Sequence, residues 1–443
     1  MRKIRYAFSL VEHVGEKSLP LVKVGDRVLR GELIGDTKGR GAKIHSSRNG
    51  VVVDITPTHI YIDVDEGDLE KKDYLKIKEC DSLWETALEA GIIGAGGGGF
   101  PTHLKLKEKK VSALFINAAQ CEPNFFHNVE TLKNLDTLHN VLWGSVFTAQ
   151  AVEAEKIYFC IKGIYSKIIK KIKTYMEDKR EFQKIEILEL EDLYPVGEER
   201  ALINRATDSW IPSHELPHMH NSLVLNVETV KNLYMAVKYR KPLMEKDITL
   251  IGNFKNRARI KTYLGIDIGL PLKAIAGDSS ELSKTLEYPL GEFLEGGANT
   301  GKSSSLEEVY IEKISGGGVF TLPFPQFRGK LGLLVCACGG DEKRLREIGG
   351  KMSSEIVGVQ HCKNIGERGK CETPGKCPGQ AEAVLKLKKS GAMRVLVSTC
   401  TDCTNTVMRA AIPMDMGVYH STDHIYRTFD YPITRDREEE KCQ

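Results

Sequence analysis

The chain has 443 residues, 41% of them hydrophobic and 28% charged, a globular composition that excludes a chain too polar to fold. Its length exceeds what one hydrophobic core serves and implies about three or four domains. With 63 basic against 60 acidic residues the formal net charge is +3, which excludes a bulk field able to gather nucleic acid or an anionic membrane. The lysine runs 105–110 and 167–173 read as solvated helix faces. In the opening MRKIRYAFSLVEHVGEK, Glu12 and His13 interrupt the apolar run before it could serve as a secretion signal. No stretch reaches the roughly 18 apolar residues of a membrane span, and the nearest, 141–152, carries Gln150. A cytoplasmic protein without a transmembrane segment is expected. Eleven cysteines, an odd number, argue for reduced thiols, metal ligands or redox chemistry and against a disulfide framework.

An α/β multidomain architecture emerges in chain order. Residues 18–55 alternate short β-branched runs with turns at Gly25-Asp26, Gly31 and Asn49-Gly50. Residues 1–80 resemble a barrel-sandwich (lipoyl or biotinyl-like) β module, with VKVGDRVLRGELIG as one hairpin and HSSRNGVVVDI as another. Lys38 lies in a loop, but TKGRGAK is no acceptor context, so the module reads as a docking unit without a prosthetic group. From residue 82 the period turns helical, SLWETALEAGII leads to the predicted strand in VSALFINAAQ, and an α/β domain spans 82–242. ITLIGNF and LPLKAIAG are the short strands of a β-grasp-like module at 246–300, followed by a linker at 301–330. In 331–435 the apolar runs LGLLVCAC, SEIVGVQ and MRVLVSTC alternate with helical segments 341–351, 378–390 and 402–411, the pattern of a small parallel α/β domain.

Between the first helix and strand of the α/β domain lies GAGGGGFPT, residues 94–102. Glycines let backbone amides close on an anion, and the helix that follows adds its positive end. Alone, such a run is as often a plain loop. With INAAQCEP (116–123), YPVGEERALIN (194–204) and LNVETVKNL (225–233), it resembles the NADH-oxidising flavin subunit of respiratory complex I and the C subunit of the Rnf electron-transport complex. The resemblance covers residues 15–300 and implies an SLBB (β-grasp-like) module after the flavin domain. It implies FMN cradled by Gly94, Gly96, Gly97 and Gly99, with Lys105 contacting the flavin. Asn117 and Asn226 stand on its flanks, and Gly197, Glu198 and Glu199 lie beside the isoalloxazine and the nicotinamide of NADH. Phe100 matches an aromatic that stacks on the adenine. The chemistry suits each role, since a lysine balances phosphate, amides reach the ring's carbonyl and imide edges, and carboxylates orient a dihydropyridine. Ala119 departs from the pattern, standing where complex I has an acidic residue.

GGANTGKS (296–303) satisfies the phosphate-loop pattern, but LGEFLE before it is no buried strand and SSSLEEVYIEK after it is a poor helix start. Nucleotide hydrolysis is therefore not expected.

The cysteines of the last quarter follow predicted strands: Cys336 and Cys338 after LGLLV, Cys362 after SEIVGVQ, and Cys400 and Cys403 after MRVLVST. Carboxyl ends of parallel strands share one edge, where redox sites gather. Cys400 and Cys403 also open a helix, whose N-terminus favours thiolate, as in a C-x-x-C dithiol. The two ferredoxin-like cysteine runs that end the Rnf protein are absent. A flavin core with such a thiol-rich tail resembles the electron-transfer proteins associated with D-proline reductase, which implies a selenol- or thiol-dependent partner. The expected path runs from NADH to FMN, then to Cys400 and Cys403 with Cys336 and Cys338 as relay, then to the partner. Two rivals stand beside it. One is an iron–sulfur carrier with a cluster on Cys336, Cys338, Cys362, Cys400 and Cys403; the other is a non-enzymatic tether stiffened by a four-cysteine zinc site.

Overall fold

The computed structural model of this chain describes residues 3–69, 71–96, 99–108, 110–120, 126–192, 196–209, 211, 216–252, 258–267, 292–295, 302–305, 317–320, 324, 326–336, 342–363, 380–398, 407–421 and 423. Two compact units divide the chain. One holds Met1–Ile211, Pro217–Gly297 and Gly301–Val319, and the other is built on Phe320–Gln443.

The first unit opens with β1 (Lys3–Ser9), β2 (Leu19–Pro20), β3 (Arg27–Val28), β4 (Leu33–Asp36), β5 (Ile44–His45), β6 (Gly50–Ile55) and β7 (His59–Asp65). They form two sheets, ordered β1-β7-β6-β3 and β2-β4-β5. Ile60, Ile62 and Val64 of β7 alternate inward, the pattern of a strand with one buried face. The two expected hairpins are not formed. β3 pairs with β6, whereas β4 pairs with β2 and β5, so the turn between β3 and β4 crosses from one sheet to the other. A hairpin and a sheet-to-sheet crossing both need a polar turn between short β-branched runs, and the pattern alone does not separate them. At that turn Gly31 has φ +87°, and a Cβ there would lie 2.4 Å from the Leu75 carbonyl oxygen.

The α/β part begins with α1 (Leu83–Glu89), where the N-cap Ser82 hydroxyl accepts from the Glu85 amide and donates to the Glu85 carboxylate. There follow α2 (Thr102–Lys105), β8 (Ala113–Asn117), α3 (His127–Lys133), α4 (Leu135–Ala151), β9 (Lys156–Lys162), α5 (Ser166–Met176), β10 (Ile185–Leu190), α6 (Glu199–Thr207), β11 (Ser222–Asn226) and α7 (Val227–Tyr239). The sheet is wholly parallel in the order β10-β9-β8-β11. The chain therefore steps outward from β8 to β10 and then returns to the far side of β8. Such a reversal opens a crevice at the carboxyl ends of β8 and β11, where the order turns. On α5, Ile168, Ile169 and Ile172 are buried while Lys167, Lys170 and Lys173 are exposed.

β12 (Glu245–Gly252), β13 (Ala258–Tyr263), β14 (Glu292–Glu295), β15 (Lys302–Ser305) and β16 (Gly317–Phe320) form a further sheet ordered β13-β12-β16-β14-β15. Two of its strands come from the segment expected to be a linker at 301–330. KSSS and GGVF lack the apolar alternation by which a strand is read. β15, which begins at Lys302, pairs antiparallel with β14, so the residues that follow the glycines of the phosphate-loop pattern form a strand and not the first turn of a helix. LPLKAIAG lies outside the described residues.

The second unit contains β17 (Lys330–Val335), α8 (Glu342–Lys351), β18 (Glu355–His361), α9 (Ala381–Lys389), β19 (Arg394–Val397) and β20 (Gly417–His420), a parallel sheet ordered β18-β17-β19-β20. Leu331, Leu333 and Val335 pack with Leu345 and Ile348 of α8; Leu334 and Cys336 pack on the other face with Val384 and Leu387 of α9.

Candidate functional site

The crevice between β8 and β11 is bounded by two asparagines at the same height. Asn117 ends β8, Asn226 ends β11, and the two pair directly in the parallel register. Asn117 accepts from the Ala119 amide (3.0 Å) and donates from Nδ2 to the Gly197 carbonyl (2.8 Å), which ties the β8 end to the segment before α6. Asn226 is also the N-cap of α7, accepting from the Glu228 amide at 2.8 Å, so strand passes into helix without a loop.

The glycine loop runs beside the β11 end. A bridge pairs Ile93 with Pro101, Gly94 N–H donates to the Phe100 carbonyl (2.9 Å), and Thr102 N–H donates to the Ile92 carbonyl (3.1 Å). Gly99 takes φ +56°. A Cβ on Gly96 would lie 3.3 Å from Asn226 Nδ2. The backbone at Gly96 thus runs tight against the Asn226 side chain, which would have to shift to admit a Cβ. Lys105 reaches from α2 to donate to Glu199 Oε1 (2.8 Å) and to the Val224 carbonyl of β11 (3.1 Å), with its ammonium 5.9 Å from the Phe100 ring centroid. The expectation of a solvated lysine run at 105–110 does not hold for this residue. Glu198 is the N-cap of α6, accepting from the amides of Arg200 (3.0 Å) and Ala201 (3.1 Å) and pairing with Arg200 Nε (2.8 Å). Its carboxylate is committed locally, whereas Glu199 faces Lys105.

The structure therefore gathers Gly94, Gly96, Gly99, Phe100, Lys105, Asn117, Gly197, Glu198, Glu199 and Asn226 around one crevice; Gly97 lies outside the described residues. The N-terminal β module adds backbone contacts, with Val14 N–H donating to the Gly99 carbonyl (3.0 Å) and His103 Nε2 bonded to the Gly39 carbonyl (3.0 Å). Burial pushes the His103 imidazole below its ordinary pKa despite the Gly39 carbonyl, which favours the neutral ring with Nε2 as donor. Sequence reasoning missed the support beneath the loop. Ala95 N–H donates to Thr229 Oγ1 (2.9 Å), and Lys246 Nζ donates to the Ala95 carbonyl (2.9 Å) and to Glu228 Oε2 (2.8 Å). Lys246 and Glu228 are each only 2% exposed. Their one signal is a pair of charges flanked by apolar runs, which reads equally well as solvated surface.

These residues fit a flavin mononucleotide. A loop that leaves little room for a Cβ beside Asn226, a lysine, and side-chain amides at both strand ends supply what a phosphate and a polar-edged ring require. Thr102 Oγ1 at the loop's exit and Gln120 Oε1 beyond β8 are buried with no hydrogen-bond partner among the described residues.

In the second unit, Cys336 and Cys362 directly follow the neighbouring strands β17 and β18, and Cys362 N–H donates to the Val335 carbonyl at 2.9 Å. Both are buried, Cys336 within the apolar face under α9. Cys338, Cys400 and Cys403 lie outside the described residues, and among the described residues no group of three His, Cys, Asp or Glu could hold a metal ion.

Residues 87–235 match the model of the Nuo51 FMN-binding domain, and residues 2–65 match that of the RnfC barrel sandwich hybrid domain. The two matched segments follow one another along the chain, the barrel sandwich hybrid match before the FMN-binding-domain match. FMN is the cofactor of this domain. The C subunit of the Na(+)-translocating ferredoxin:NAD(+) oxidoreductase complex of Acetobacterium woodii is 28% identical over 296 residues, 62% of this chain and 65% of that one. The corresponding protein of the proton-translocating ferredoxin:NAD(+) oxidoreductase complex of Clostridium ljungdahlii is 30% identical over 262 residues, 54% of this chain and 55% of that one. The match thus spans less than two thirds of the length of these RnfC-like relatives. A crystal structure of an NAD+-reducing NiFe hydrogenase in its H2-reduced state is similar at 18% identity and TM-score 0.43, covering 53% of this chain and 46% of that one. No helix among the described residues is long and apolar enough to cross a membrane.

Proposed function

We propose that this RnfC-like chain is an electron-transfer flavoprotein that takes electrons from NADH onto FMN and passes them through the cysteines of its second unit to a thiol- or selenol-dependent reductase such as D-proline reductase. The observation that carries the reading is the β8/β11 crevice, where the glycine loop, Lys105, Asn117 and Asn226 meet. Bound FMN supplies the exchange between a two-electron hydride donor and thiol or one-electron acceptors. Lys105 and the loop amides balance phosphate charge, and the asparagine amides address the polar edge of the ring. Glu199, held by Lys105, is the carboxylate available to orient a nicotinamide, while Glu198 stiffens the segment by capping α6. Phe100 offers an aromatic face for an adenine. Cys400 and Cys403, at a predicted helix start, serve as the terminal dithiol.

The relatives' names favour one second reading, in which the chain works within an Rnf-type assembly and exchanges electrons with a ferredoxin. Anaerobic stopped-flow mixing of FMN-loaded protein separates the two, because the favoured reading expects NADH to bleach the flavin within seconds. Reduction by ferredoxin but not by NADH supports the assembly reading. Lys105→Ala should weaken FMN binding about tenfold or more, the loss of a charge-assisted contact. Protein that stays colourless after incubation with FMN sinks both readings.

A further inference from the structure

Beneath the glycine loop lies a buried pair of opposite charges that no step of the proposed electron path uses. Taking a lysine and a carboxylate out of water costs more than their attraction returns unless further hydrogen bonds complete the geometry, and an apolar pair of equal volume is often as stable. Lys246 and Glu228 have that completion. Glu228 Oε2 accepts from Lys246 Nζ (2.8 Å), its Oε1 accepts from the Asp247 amide (3.2 Å), and the remaining reach of Lys246 is spent on the Ala95 carbonyl (2.9 Å). Ala95 is thus held at both ends, its N–H by Thr229 in the first turn of α7 and its C=O by Lys246 from β12.

A consequence follows from the planarity of the peptide that joins Ala95 to Gly96. In a trans peptide the C=O and the next N–H point in opposite directions. With the Ala95 carbonyl turned down onto Lys246, the Gly96 N–H is turned away from the core, at an exposed residue beside Asn226. Glycine imposes little barrier to rotating that peptide, so the orientation depends on what holds the carbonyl.

We propose that Lys246 is a positioning residue for the flavin site, its ammonium locking the peptide between Ala95 and Gly96 so that the Gly96 N–H is presented to FMN. This rests on FMN occupying the crevice. It makes the start of β12, a strand outside the parallel sheet, part of the cofactor's support. The test uses the full chain freed of flavin and titrated with FMN by fluorescence quenching, alongside thermal melting and amide exchange of residues 92–101. In the double variant Lys246→Met with Glu228→Gln no charge is stranded. FMN affinity should fall about tenfold or more with the melting temperature nearly unchanged, and exchange at the loop should quicken. Lys246→Arg, which keeps the donor, should restore most of the affinity. A double variant that binds FMN and exchanges like the parent overturns the proposal, as does a loss of affinity that only follows a lowered melting temperature. Should the double variant not fold, Thr229→Val, which releases the other end of Ala95, is read in the same way. Parent protein that binds no FMN defeats the flavin assignment instead, and amide exchange then decides the role of Lys246 in the loop.

Discussion

At Glu245 burial and charge pull in opposite directions. Burial would raise its carboxyl, but Lys241 (2.7 Å) and Lys261 (2.8 Å) hold it down at about 2, and Arg30 Nη2 lies 2.9 Å from its other oxygen. Lys241 is itself pushed below the ordinary lysine range by burial, despite the pull of Glu245, so part of what one partner gains the other gives back. The acid limb is read on the Glu245 carboxylate. A depressed folded pKa contributes stability above the unfolded value of about 4.3, and this is lost as the pH falls from there through about 2. The contribution is at most about 3 kcal/mol. Urea midpoints followed from pH 5 to pH 2 should therefore fall more steeply for the parent than for Glu245→Gln, and parallel acid limbs would contradict the assignment. Arg30 comes from the N-terminal β module, so the same measurement reports how firmly that module is tied to the start of β12.

At the scale of elements, α4 and α7 approach so closely that glycine is required between them. A Cβ on Gly144 would lie 2.4 Å from the Val230 carbonyl oxygen, a backbone atom with nowhere to go. In an exposed helix Gly→Ala stabilises by about 1 kcal/mol. Here Gly144→Ala should destabilise by about 1–3 kcal/mol, read as a lowered urea midpoint at unchanged slope, because the helices must part. A raised midpoint would show that they do not touch as described. The elements also show what a sequence displays. ALFI of β8 and RVLV of β19 are legible because a parallel strand covered on both faces needs an unbroken apolar run. KSSS and GGVF are not, because they lack apolar alternation and only their pairing with β14 marks them as strands. The same divide runs through the site. Gly94, Lys105, Asn117 and Asn226 are picked out by the resemblance of four motifs to a known flavin site, whereas Lys246 and Glu228 are charges whose burial only the tertiary fold reveals.

In the whole molecule the flavin crevice is built entirely within the first unit, and the tail cysteines belong to the second, which has its own core on both faces of its sheet. Replacing Cys400 and Cys403 by serine should accordingly leave FMN content and the rate of flavin reduction unchanged while stopping electron delivery to a disulfide or selenol acceptor. Loss of flavin reduction in that variant would mean that the tail takes part in the first step. Bound iron lost with the cysteines would favour a cluster. The register of β8 and β11 bears on how the protein reaches this state. Strands that lie side by side at the crevice are separated along the chain by about a hundred residues, including β9 and β10, so their pairing closes a long loop and is entropically among the later events of folding. Until β11 inserts, Asn226 has no partner at Asn117 and the glycine loop has no strand end to run beside. A nascent chain therefore exposes half a crevice, and capture of the cofactor follows the pairing of β11 with β8, so that flavin content doubles as a measure of how much of the protein has closed that crevice.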